Sequence, residues 1–192
     1  MHKRRKTGQA SPETKASVLL LRDHERWKRT PWAQQVKAAA LYQRADQYWS
    51  RSRLKPAFRF FLAAAKEGET SAFGPLAQFY DLGKGVKADE EAALYWYRRA
   101  YFYGSSVAAN NIGCIWRDRG KLARALMWFR RAVRLGDAES NLNIAKIYLR
   151  KRDPAMAIRH LERTRKAPNV TQGSKEEARD LLKQIKQRND SS

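Results

Sequence analysis

The sequence predicts an all-α chain: an α/α helix-turn-helix solenoid of about four repeats, closed by a C-terminal capping helix. Three observations predict it. The segments ALYWYRRA (93–100) and ALMWFRRA (125–132) differ in two side chains and begin 32 residues apart, and weaker copies begin at Ala57 (AFRFFLAA) and Ala157 (AIRHLERT). Eleven residues after each leading alanine stands Gly68, Gly104 or Gly136, and in the last copy Pro168. An aromatic precedes each alanine: Tyr48, Trp116 and Tyr148 by nine residues, Tyr80 by 13. Self-similarity at a period of 32 to 36 residues is the mark of stacked helical hairpins, none of which buries its apolar face alone.

Each element follows from its own residues. Residues 1–30 are basic and polar without periodicity and read as a disordered arm, with a short helix over 17–29 stopped by Pro31. Residues 31–168 carry the repeats. Leu76 and Tyr80, Ile112 and Trp116, and Ile144 and Tyr148 are i, i+4 pairs, each sharing one helix face. Ala77, Gly113 and Ala145 follow the first member of each pair, and small side chains there admit a closely packed partner helix. The segment GKGVKADEE (83–91) is a glycine-rich turn running into an acidic helix start, and it accounts for the longer spacing at Tyr80. The terminal glycines suit a left-handed helix C-cap, and Pro168 likewise forbids continuation. Residues 169–192 hold Ser174-Lys175-Glu176-Glu177, read as a capping box opening a helix through Ala178, Leu181, Leu182 and Ile185. Such a helix serves as the lid a repeat array needs.

Composition narrows the function. With 43% hydrophobic and 11% aromatic residues the chain has enough apolar mass for a continuous core. Forty basic residues against 19 acidic ones give a net charge of +21, which favours acidic partners: a protein surface, nucleic acid or a membrane surface. The charge sits at both ends. Residues 70–105 hold four basic and four acidic side chains, whereas residues 138–192 hold 13 and seven. Cys114 is the sole cysteine, so an intrachain disulfide and a cysteine-based metal site are excluded. The apolar run 18–21 ends at Arg22 and Asp23, too short for a secretory core or a transmembrane segment. His2, His24 and His160 show no metal-ligand spacing, and Gly83-Lys84-Gly85 reads as the repeat's own turn in place of a phosphate loop. Neither catalysis nor a cofactor is expected. Trp96 and Trp128 occupy equivalent positions and are expected between helices, while at least one arginine of each following pair, Arg98-Arg99 and Arg130-Arg131, should face solvent.

The segment LAQFYDLGKGVKADEEAALYWYRRAYFYG (76–104) resembles a Sel1-like repeat, a relative of the tetratricopeptide repeat, in its aromatic, its G-x-G-V turn, Asp89, Ala93 and the Trp96-Tyr97 pair. The segment 112–136 keeps both helices but lacks the G-x-G-V insert and is similar to the tetratricopeptide form. Over residues 35 to 168 the resemblance implies a right-handed superhelix whose first helices line a concave groove. Carried along the repeats, the groove positions are Asp46, Trp49 and Ser50; Gln78, Asp81 and Leu82; Cys114, Arg117 and Asp118; then Lys146, Leu149 and Arg150. Of these, Asp46, Trp49, Gln78, Asp81, Cys114, Arg117, Lys146 and Arg150 are the candidate partner-binding residues, grading from mixed and acidic to basic. The alternative reading makes them solvated polar residues. The resemblance implies a non-enzymatic bacterial, cytoplasmic scaffold that holds a protein partner with an acidic surface or tail, as adaptor, chaperone or immunity protein. Two other readings stay open: a nucleic-acid- or ribosome-associated protein, or association with a membrane surface through the basic arm.

Overall fold

The structure, a computed structural model, describes residues 31–190. The basic arm, its short helix over 17–29 and the apolar run that would meet a membrane lie outside the described residues. Among the described residues there are nine α-helices, and they fall into two compact units that part between Ala72 and Phe73. The first unit holds α1 (Trp32–Ser50), α2 (Leu54–Lys66) and a 3-10 turn (Thr70–Ala72). The second holds α3 (Phe73–Leu82), α4 (Glu90–Phe102), α5 (Ser106–Asp118), α6 (Leu122–Arg134), α7 (Ser140–Arg150), α8 (Pro154–Lys166) and α9 (Gln172–Asp190). Consecutive helices pack as hairpins, α1 with α2, α3 with α4, α5 with α6 and α7 with α8, and within the second unit each hairpin also packs on the next.

The sequence periodicity becomes packing in a simple way. The leading alanines Ala57, Ala93, Ala125 and Ala157 are all fully buried. One turn or so further along come Phe61, Tyr97, Phe129 and Leu161, also buried to 1% exposure or less. Each such side chain contributes about 1.5–3 kcal/mol when removed from water. Every second helix thus offers a small residue where its partner comes close and a large one where space remains. Gly113 is the extreme case: a Cβ there would lie 2.6 Å from the Phe129 ring, so α5 and α6 touch only because this residue has no side chain.

Helix ends follow the expected chemistry. Gly104 and Gly136 adopt φ of 88° and 92°, and the amides that follow them, of Ser105 and Asp137, reach back 3.0 Å to the carbonyls of Ala100 and Ala132. This is the left-handed C-cap that glycine adopts without strain. Asp89, Ser105 and Asp153 each accept an amide hydrogen three residues on, from Ala92, Ala108 and Met156 at 3.0–3.2 Å. In the last copy Pro168 replaces the glycine, and α8 ends instead on extended backbone at Ala167.

The capping helix is present, with its start moved. α9 begins at Gln172, two residues before the box at Ser174. Thr171 takes the capping role, its Oγ1 accepting from the Ser174 amide at 3.3 Å and meeting the Ser174 hydroxyl at 3.0 Å. Ala178 and Ile185 join a core of Phe129, Ile144, Ile147 and Leu161, so the lid shares the interior of the last hairpins.

Candidate functional site

The first helices of the second unit, α3, α5 and α7, carry six of the eight candidate residues. Side-chain hydrogen bonds tie α5 to α7. Asn143 Nδ2 donates to Asn110 Oδ1 at 3.0 Å, Ser140 Oγ donates to the same oxygen at 3.0 Å, and Arg117 Nη1 donates to Asn143 Oδ1 at 3.4 Å. The two helices therefore share one polar, half-buried face.

Around that face the charges are internally matched. Tyr97 donates its hydroxyl to Asp81 Oδ2 at 3.1 Å. Burial raises the Asp81 carboxyl above its ordinary range, the Tyr97 hydrogen bond opposes this, and the nearby Glu90 and Asp118 reinforce it. Burial, then Asp81, pushes the Tyr97 phenol up in turn. Arg117 is tied to its neighbour Asp118, Nε to Oδ1 at 2.8 Å. Cys114 sits between them half-buried; desolvation raises its thiol, Arg117 works against this, and Asp118, Asp81 and Asp137 add to it. The neutral thiol dominates near pH 7, so Cys114 is a small contact surface and no activated nucleophile.

Lys146 holds the least expected partner. Its Nζ lies 2.7 Å from Glu177 Oε1 on α9, so the capping helix already neutralises one cation of the basic end. Arg150 is exposed at the end of α7. Gln78 is half-buried on α3 with its carboxamide uncommitted among the described residues. The structure thus brings Asp81, Cys114 and Arg117 into one neighbourhood and joins Lys146 to the lid. Sequence spacing did not select Asn110, Asn111 and Asn143, which share this face; three asparagines at the 32–33-residue step were the available signal. In the first unit Asp46 is exposed, and Trp49 packs edge-on against Phe61 with ring centroids 5.6 Å apart.

The tryptophans sit as expected. Trp128 is 6% exposed and meets Tyr101 edge-on at 5.1 Å. Trp96, half-buried, leans on Phe73 at 5.5 Å. Of the following arginines, Arg130 is exposed while Arg131 spreads over the Trp128 ring at 4.4 Å. Arg99, its equivalent one repeat earlier, covers Phe73 at 4.3 Å and Trp96 at 5.2 Å. Among the described residues no cluster of histidine, cysteine and carboxylate side chains could hold a metal ion. Among them, too, no helix is long and apolar enough to cross a membrane.

Stacked hairpins, glycine C-caps and a packed lid define a helical-repeat protein. Comparison with solved structures places the fold more closely. A Sel1 repeat protein from Oxalobacter formigenes superposes with a TM-score of 0.57 at 23% identity, over 77% of this chain and 66% of that one. A protective antigen of uropathogenic Escherichia coli with an SLR fold gives 0.58 at 25%, over 75% of this chain and 32% of that one. MamA gives 0.56 at 12% identity, over 94% and 99% of the two chains. The chain therefore spans slightly under two thirds of the first and about a third of the second. No family model matches the sequence, and no curated protein matches it. The architecture is that of the Sel1-like repeat fold, which is all-helical.

Proposed function

We propose that this chain is a non-enzymatic scaffold that holds a segment of a protein partner along the first-helix face of its second unit. The observation that carries the reading is the Asn110–Asn143 hydrogen bond at 3.0 Å, together with Arg117 on Asn143. These contacts join the first helices of successive repeats through one half-exposed polar face. A carboxamide both donates and accepts, so Gln78, Asn110, Asn111 and Asn143 suit the alternating N–H and C=O groups of an extended main chain. Arg150 at the α7 end supports a partner with acidic residues at one end. The roles of adaptor, chaperone or immunity protein all require this same contact.

A photo-crosslinking residue placed at Gln78 or Asn143 should capture the partner in cells. The same residue at Ala123, exposed on the second helix α6, should not. Equal capture from Ala123, or capture from neither first-helix position, would refute the assignment.

A further inference from the structure

We propose a second binding site on the opposite set of helices: a cleft between α6 and α8 that takes a small organic phosphate. The cleft has a volume of about 360 Å³, within the range of small-ligand sites. Four arginines line it, Arg130 and Arg134 from α6, Arg159 and Arg163 from α8, with Asn141 and His160. Each helix contributes its pair at i, i+4 spacing, an arrangement in which like charges repel along one face. No carboxylate lines the cleft. Arg130 donates to the Tyr148 hydroxyl at 2.8 Å, while Arg134, Arg159 and Arg163 have no hydrogen bond or ion pair among the described residues. Arg119, Arg117 and Arg165, by contrast, all have carboxylate partners. Converging guanidinium groups left without an anion form a ready receptor for one, and the planar fork matches phosphate oxygens in pairs.

The walls specify more than charge. Asn141 uses Nδ2 on the Ala138 carbonyl at 3.1 Å, which leaves its Oδ1 to accept from His160 Nδ1 at 2.9 Å. That contact fixes the Nδ1–H tautomer and leaves Nε2 as an acceptor, suited to a ligand hydroxyl. His160 is 6% exposed and is kept neutral by burial and then by Arg163, Arg130 and Arg159. Val133, Ile144 and Met156 add apolar surface for the organic part of the ligand. No aromatic side chain other than His160 lines the cleft, which disfavours a single-stranded nucleic acid held by base stacking. The chemistry shared by all candidate ligands is a phosphate group carried on a small hydroxylated or apolar body.

The test is calorimetric titration of the full chain with inorganic pyrophosphate, with adenosine 5′-diphosphate, and with a short single-stranded RNA. Pyrophosphate and the diphosphate should each bind saturably at one per chain. Arg134→Gln with Arg163→Gln should weaken both by about tenfold or more, and Arg159→Gln alone should weaken them in the same direction. Arg179→Gln with Lys186→Gln, which removes the same charge from exposed positions on α9, should leave both unchanged. All four arginines tested are exposed, so circular dichroism should show these variants folded. Absence of saturable pyrophosphate and diphosphate binding would overturn the proposal. So would equal weakening by the α9 control, or binding confined to RNA.

Discussion

Lys146 Nζ and Glu177 Oε1 lie 2.7 Å apart, so a cation on the first-helix face of α7 is held by the helix that caps the array. Two further contacts fasten the lid in the same region. Glu139 accepts from the Thr171 amide at 2.8 Å, which holds its carboxyl below the ordinary range, and Asn169 donates to the Gly136 carbonyl at 3.0 Å. The Lys146 ion pair is half-exposed and should contribute less than about 1 kcal/mol to stability. Glu177→Gln is therefore expected to change urea-unfolding stability little while freeing Lys146 for an acidic partner. Partner recovery should rise in that variant; a fall would show that the pair organises the face instead of competing for it.

Trp128 makes the opposite kind of contact. It is buried against Tyr101 beneath Arg131, and Trp128→Ala should destabilise the chain by about 3–5 kcal/mol, read from equilibrium denaturation. A variant as stable as the parent but unable to hold a partner would move this indole from the core to the binding surface.

Gly113 and Phe129 define the closest approach of α5 to α6. Gly113→Ala improves helix propensity yet places a methyl group where the Phe129 ring already lies, within a fully buried core. The clash should prevail, with a loss of about 1–3 kcal/mol. Unchanged or raised thermal stability would mean that α5 and α6 separate at no cost.

His160 gives a pH signature. Burial, followed by the nearby Arg163, Arg130 and Arg159, lowers its pKa from 6.5 to about 4. Between those values the unfolded chain binds a proton at this residue that the folded chain does not, so stability rises with pH across that window. The contribution is complete above about pH 6.5 and is lost as pH falls towards 4. Comparing His160→Gln with the parent cancels the carboxylates common to both: the parent should lose more melting temperature between pH 6.5 and 4. Parallel curves would contradict the buried neutral imidazole.

The helices were legible because alanine, aromatic and glycine recur at fixed offsets, and each offset has one geometric meaning on a helix. Ala93 and Ala125 are small where helices touch; Gly104 and Gly136 adopt the left-handed cap. The start of α9 was less so, because Thr171 and Ser174 both have capping chemistry and only the chain path after Pro168 chooses between them. Pairings across hairpins were not legible. Lys146 and Glu177 are 31 residues apart, and nothing local signals that the lid turns that carboxylate inward. The same holds for the arginine cleft: its two i, i+4 pairs are visible along the chain, but their convergence is a product of how α6 and α8 each pack on α7. Arg131 and Arg99 show the limit differently. The spacing predicts that at least one arginine of each pair faces solvent, but not that the other, Arg131 or Arg99, lies over an indole.

The most direct measurement is affinity capture from nuclease-treated native lysate, comparing the parent chain with Arg117→Glu, Lys146→Glu and Arg150→Glu combined, after circular dichroism has confirmed equal helicity. A stoichiometric protein retained by the parent and lost by the variant is the predicted result. Equal retention by both, or recovery by the parent of nothing beyond nucleic acid that nuclease removes, would contradict a protein scaffold acting through its first-helix face.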